Sequence, residues 1–314
     1  MDFTLESSYI SLRQPHGAPP LKPVAHHNAN SLIEEQLDTH LAELEKILEA
    51  DVMVFHGSLF PPMDSQVRDF IEGRPHRRRA LAVLLETNGG FADVVERMAR
   101  CFRKFYRRVD FIVPNHAMSA GTLLVMSGDR IFMNYFSVLG PIDPQVPSNN
   151  GYVPANGYLV QYDRLIEKSK KKTITTAELQ FLIANFNPAE LYRYEQEMNL
   201  SVTLLKEGLV KYKFRNWKKT ATRKLKVTAK MRKDRAEEIA NKLNDTNKWH
   251  VHARGIPMGV LRKDLKLVIE DFDKNQALKN EISCYQKLLY DYLEKNGANA
   301  ALNIVGKFVP LRME

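Results

Sequence analysis

Residues 81–85, Leu-Ala-Val-Leu-Leu, are an unbroken apolar run of strand length, and Asn88-Gly89-Gly90 ends it. Beyond the glycines, Val94, Met98, Cys101, Phe102 and Phe105 recur at helical spacing with Glu96, Arg97, Arg100 and Lys104 between them, which predicts an amphipathic helix. A second strand is expected over residues 109–113, closed by Pro114-Asn115. Met118-Ser119-Ala120-Gly121-Thr122 then opens another apolar helical run. The order is strand, glycine turn, helix, strand, and a serine where the next helix begins.

The same reading extends outward. Residues 52–55 and 130–133 read as strands, residues 63–72 as a helix with Val67, Phe70 and Ile71 inward, and residues 138–144 as a bend. From Ser31, a good N-cap, Ile33, Leu37, Leu41, Leu44 and Leu48 form one stripe, for docking on the core or on a second subunit. Helices are expected over residues 159–168, over 176–197 with a break at Pro188, over 200–212 and over 234–243; from Leu261 the remainder reads as helical. The domain reading is a proline-marked extension (1–30), a catalytic-size α/β domain (31–265) and a C-terminal helical arm (266–314). Residues 147–157 are polar and suit a rim or lid.

Composition changes the picture little. The 314 residues carry a formal charge of +9, which permits anionic partners but sets no fold. Two distant cysteines, no 18-residue apolar run and no leader pattern give the expectation of a soluble cytoplasmic protein without disulfides. Residues 211–233 hold eleven Lys or Arg and no acid, with Tyr212, Phe214 and Trp217 interleaved. A solvated loop is the preferred reading there, and phosphate contact with base stacking the second. His26-His27 and the pair His250 and His252 lack the further ligands a metal site needs, so no metal or cofactor is expected.

The chemistry follows from the placement of Ser119. Amides at a glycine turn and at a helix start are unsatisfied donors, so Ser119 can be a nucleophile whose oxyanion is held by the amides near Gly89, Gly90 and Ala120. The plainer alternative makes Ser119 a helix cap and Gly89-Gly90 a turn. Asp143 could orient a base or fix its loop, and His116 stands three residues before Ser119.

TNGGF (87–91), MSAGT (118–122) and LGPIDPQ (139–145), with the later RAEEIANKLNDTNKWHVHARGI (235–256), resemble the Clp/crotonase-fold serine peptidases. The nearest branch is the serine dehydrogenase proteinase family, related to signal peptide peptidase A and the NfeD-type peptidases. The resemblance implies an α/β spiral of β-β-α units with added N- and C-terminal helices, a peptide or protein substrate, and homo-oligomers. It also implies a lysine base after a P-A-x-x-x-L pattern, yet Pro154-Ala155 through Leu159 is followed here by Val160. Lys168, on nearly the same helical face, and His252, which titrates near neutral pH, are the candidate bases. Asp143 falls close to where the proteolytic subunit of the Clp protease places its catalytic histidine. The competing reading is an inactive scaffold that kept the fold, one that contacts nucleic acid through residues 211–233.

Overall fold

The computed structural model describes residues 28–148, 151–220 and 222–312; the expected extension up to residue 27, with its His26-His27 pair, lies outside the described residues. The chain runs α1 (Ala29–Leu48), β1 (Asp51–His56), α2 (Met63–Glu72), β2 (Ala80–Glu86), α3 (Ala92–Phe105) and β3 (Arg108–Ile112). Next come β4 (His116–Ala117), α4 (Ala120–Met126), β5 (Arg130–Met133), β6 (Val138–Leu139), β7 (Gln145–Ser148) and β8 (Gly151–Pro154). Three helices follow, α5 (Ala155–Lys170), α6 (Thr176–Asn185) and α7 (Pro188–Gly208). The last part holds α8 (Ala229–Leu243), α9 (Thr246–Trp249), β9 (Ile256–Pro257), α10 (Met258–Lys263), β10 (Glu270–Asp271), α11 (Gln276–Asn296), β11 (Ala300–Ile304) and β12 (Lys307–Leu311).

Seven strands form one sheet in the order β10-β5-β3-β2-β1-β11-β12, parallel from β10 to β1 and antiparallel beyond. Its central strands are apolar on both faces, as strands covered on both sides must be. Met53, Phe55, Leu81, Val83, Leu85 and Phe111 meet α2, α3, α4 and α8 in the larger core. The alternate positions Val52, Val54, Ala82, Leu84 and Ile112 meet α1 and α11. A second sheet, β4-β6-β9, stands beyond the C-terminal ends of β2 and β3. The expected rim over residues 147–157 falls largely on the hairpin β7–β8.

The leucine stripe Leu37, Leu41, Leu44 and Leu48 docks on the core, against α11, the first of its two expected uses. Two other expectations are corrected. The helix is capped by the Asn28 side chain rather than by Ser31. The end of the chain is not a helical arm throughout. After α11, Gly297 ends the helix in the left-handed conformation and residues 300–311 form a hairpin that extends the main sheet. Asn303, fully buried there, donates to Tyr285 Oη at 3.1 Å, which joins the hairpin to α11.

At the N-terminal edge of β1 a polar knot ties four segments together. Glu45 accepts from the Val52 amide, and Asp51 accepts from the Arg78 amide and Tyr106 Oη, both at 3.0 Å. Arg74 lies 2.8 Å from Glu45 and 3.2 Å from Asp51. Burial holds the Glu45 carboxyl above its ordinary range, and the Arg74 charge opposes that rise. Arg74→Ala would leave two buried carboxylates without their cation and should cost about 3–5 kcal/mol. A carboxyl raised in the folded state favours folding most below its unfolded value and loses that contribution as pH rises through the folded one. The deficit against wild type should therefore be largest near neutral pH and shrink towards pH 4, read by urea unfolding across that range. An equal deficit at both ends would refute the account.

Candidate active site

β2 ends at Glu86, and at Thr87 the chain turns from the buried sheet towards solvent. The Thr87 amide donates to His116 O at 3.1 Å and its carbonyl accepts from the Met118 amide at 2.9 Å, so the turn is laced to β4. On its other side the Leu59 amide donates to Gly89 O and the Phe91 amide to Leu59 O. These bonds hold the glycine turn as a short extended segment between the loop after β1 and the loop before α4.

Ser119 precedes α4 with φ 50° and ψ −117°, a conformation rare for a residue with a side chain, and it makes no side-chain capping bond. The helix-cap reading of its hydroxyl therefore fails. Two glycines let the neighbouring backbones approach it. A Cβ on Gly89 would lie 2.8 Å from Ser119 Cβ, and one on Gly140 would lie 2.8 Å from the Ser119 nitrogen. Thr122, one turn into α4, fixes the second approach: its hydroxyl donates within reach of Ala117 O and Gly140 O, both at 2.9 Å, and accepts from the Gly140 amide.

The three amides expected to bind an oxyanion differ in their commitments. Gly89 donates to Thr87 Oγ1 at 3.0 Å. Among the described residues the Gly90 and Ala120 amides have no acceptor, so they are the donors left for a ligand.

Asp143 follows Gly140 by three residues and is almost wholly buried. Its Oδ1 lies 2.9 Å from His252 Nδ1, and its Oδ2 accepts from Gln145 Nε2 at 2.8 Å. His252 is 22% exposed and stands in the turns that follow α9, not on a strand beside His250. Its segment returns to the site because β9 pairs with β6 and Gly255 packs against Val138. With Nδ1 on the carboxylate, Nε2 is the ring atom left to exchange a proton. No hydrogen bond joins Ser119 Oγ to His252 or to Lys168 among the described residues.

Lys168 stands elsewhere. On α5 its Nζ meets Glu178 Oε1 at 2.5 Å, 44% exposed, and Glu178 completes the capping box of α6. Val160 is 44% exposed on the same helix. His116 turns towards Glu86, with Nδ1 3.8 Å from its carboxylate. Of the basic stretch, residues 211–220 and 222–228 run through a π-helical turn and irregular chain towards α8, apart from the described hydrogen bonds of the site. Sequence reasoning did not pair Asp143 with His252; 109 positions separate them and no local pattern links them. It also missed Thr87 and Thr122, whose hydroxyls brace the glycine turn and the loop under Ser119. Among the described residues no group of three His, Cys, Asp or Glu side chains is arranged to hold a metal ion, and no helix is long and apolar enough to cross a membrane.

A family profile described as ClpP-like SDH-type serine proteinase matches residues 66–229, just over half of the chain. Two uncharacterized proteins of Methanocaldococcus jannaschii are similar over part of their length. MJ1495 is 32% identical over 97 residues, 31% of this chain and 32% of the relative. MJ0137 is 28% identical over 102 residues, 32% of this chain and 34% of the relative. The alignments thus span about a third of either curated relative. Among solved structures, a variant of the 1510-N membrane-bound stomatin-specific protease holding a substrate peptide is 16% identical, covering 83% of this chain and 86% of its own, with a TM-score of 0.42. Another variant of that protease is 17% identical, covers 49% and 83%, and has a TM-score of 0.30.

Gly89→Ala tests the close approach. Its φ of 105° disfavours any side chain, and the new methyl would press on Ser119. The variant should lose about 1–3 kcal/mol of stability and its labelling by a fluorophosphonate probe. Wild-type labelling in that variant would mean that Gly89 does not abut the reactive serine.

Proposed function

We propose that this chain, which belongs to the family of ClpP-like SDH-type serine proteinases, cleaves peptide bonds through an acyl-enzyme on Ser119, with His252 as general base. The observation that carries the base assignment is the Asp143–His252 hydrogen bond, because it fixes one imidazole tautomer and presents the other nitrogen. Ser119 Oγ gives its proton to His252 Nε2 as it bonds to the scissile carbonyl carbon. The carbonyl oxygen becomes an oxyanion held by the Gly90 and Ala120 amides. His252 then protonates the leaving amine as the C–N bond breaks; in the second half it takes a proton from water as the water attacks the ester, and returns it to Ser119 Oγ as the acyl–Oγ bond breaks and the acid is released. Asp143 stays ionised and stabilises the imidazolium.

Support for the nucleophile comes from its backbone: a strained serine with an uncommitted hydroxyl before a helix is the arrangement that exposes Oγ in other hydrolases. Support for peptide as substrate comes from the glycine turn. Leu59 uses one edge of it, and the free Gly90 amide lies on the other, where an extended chain can add as a strand. The lysine reading is disfavoured by the surface ion pair of Lys168 and by Val160 at the family's lysine position.

Ser119→Ala should abolish cleavage of a denatured protein substrate, and no capping bond is lost, so folding should persist. His252→Ala and Asp143→Asn should each lower kcat/KM by about 10³-fold or more, while Lys168→Ala leaves it nearly unchanged. Loss in Lys168→Ala with activity kept in His252→Ala would reverse the assignment. A wild type that neither cleaves nor labels would make the chain a binding protein on a proteinase fold, with Val160 marking the lost base.

A further inference from the structure

The end of the sheet away from Ser119 holds a groove of about 800 Å³. Six cations line it: Arg79, Arg103, Lys104, Arg107, Arg108 and Arg215, and no carboxylate does. They come from three basic stretches far apart in sequence: the one before β2, the one joining α3 to β3, and residues 211–233. β2 and β3 both begin at this groove and run towards the glycine turn and Ser119. Seven residues of β2 at about 3.3 Å each put roughly 20 Å between the two sites. The groove is therefore not part of the hydrolytic site.

Its cations divide into two sets. Arg103 pairs with Asp129 and stacks on Tyr212 at 4.0 Å, Arg215 also pairs with Asp129, and Arg108 pairs with Asp110. These three are held in place and build the wall. Arg79, Lys104 and Arg107 are exposed and have no carboxylate or hydrogen-bond partner for their side chains among the described residues. A concentrated unpaired charge of this kind costs self-repulsion that only an anion relieves.

We propose that this groove binds the phosphate backbone of nucleic acid without reading its sequence. Five of the six cations are arginines, whose planar forks match phosphate oxygens. Arg215 belongs to the same basic stretch as Lys218, Lys219, Arg223 and Lys224, all exposed, and several cations in series suit a polymer with a regular charge repeat better than a single anion. An acidic peptide would need an apolar pocket to anchor it. Here the aromatic faces are taken, Tyr212 by Arg103 and Phe105 by Arg77. With those two rings engaged by arginines, phosphate contact rather than base stacking carries the binding, hence the absence of sequence preference.

The test is fluorescence anisotropy with a labelled RNA of about 20 nucleotides and a DNA strand of equal length, over roughly 50 to 200 mM salt. Wild type should bind both, with affinity falling steeply as salt rises. Arg79→Ser combined with Lys104→Ser and Arg107→Ser should weaken binding about tenfold or more at low salt and flatten the log–log slope by about 2, near 0.7 for each lost phosphate contact. These side chains are exposed and unpaired, so the melting temperature should not move. Lys104→Glu alone should act in the same direction. Absence of binding at the lowest salt, an unchanged affinity in the triple variant, or displacement of RNA by poly-glutamate at equal charge would each overturn the proposal; the last would point to an acidic protein instead. None of these outcomes bears on Ser119, whose chemistry is read by a different assay.

Discussion

Everything at the candidate site depends on backbones meeting with no side chain between them. Ser119 is approached from one side by the turn at Gly89 and from the other by the loop at Gly140, each so closely that a single methyl would collide. The meeting also explains why Ser119 keeps a positive φ. Hydrogen bonds from Thr87, Met118, Leu59 and Thr122 fix the flanking segments independently, so the serine must bridge them in whatever conformation the gap allows. The strain is sustained by the rigidity of its surroundings: α4 is buried along its whole length and packs against α3 and α7.

The two ends of the sheet make opposite uses of polarity. Beyond the C-terminal ends of β2 and β3, the Gly90 and Ala120 amides are left without acceptors among the described residues, which suits a charge that appears only during reaction. At the N-terminal ends, acids and arginines are paired: Asp51 with Arg74, Asp110 with Arg108 and Arg130, Asp129 with Arg103 and Arg215. Each acid sits under the strand starts and draws arginines to the rim. A basic groove is thus a by-product of closing that end of the sheet, and its unpaired members are the surplus.

Much of the centre was legible because period and punctuation agree there. The run at residues 81–85, the glycines after it and the α3 spacing all point to β2, a tight turn and an amphipathic helix, and each is found. The C-terminal hairpin was read as helix because α11 dominates its neighbourhood. A two-residue turn at Val305-Gly306 between apolar stretches, with Pro310 suited to an edge strand, was the signal passed over. The start of α8 was placed too late because Thr228, its N-cap, stands inside the basic stretch and was taken for loop. The partnership of Asp143 and His252 had no sequence signal at all. It exists because β6 pairs with β4 on one side and β9 on the other, a contact map rather than a pattern.

That pairing bears on the proposed chemistry of Ser119 with no lysine at position 160. Val160 belongs to α5, which with α7 and the β7–β8 hairpin forms a small apolar cluster of its own, apart from the two main cores. A base carried on that layer would depend on how the layer docks. His252 instead follows α9, whose Trp249 is buried in the larger core with its indole bonded to Lys242 O, and Asp143 leads directly from the loop under Ser119. Both members of the pair are thereby tied to β6, the strand beside β4, and so to the segment that sets the serine. On the proposed assignment, a base fixed to the same small sheet as Ser119 keeps register with it, and the exposed Val160 on α5 then costs the site nothing.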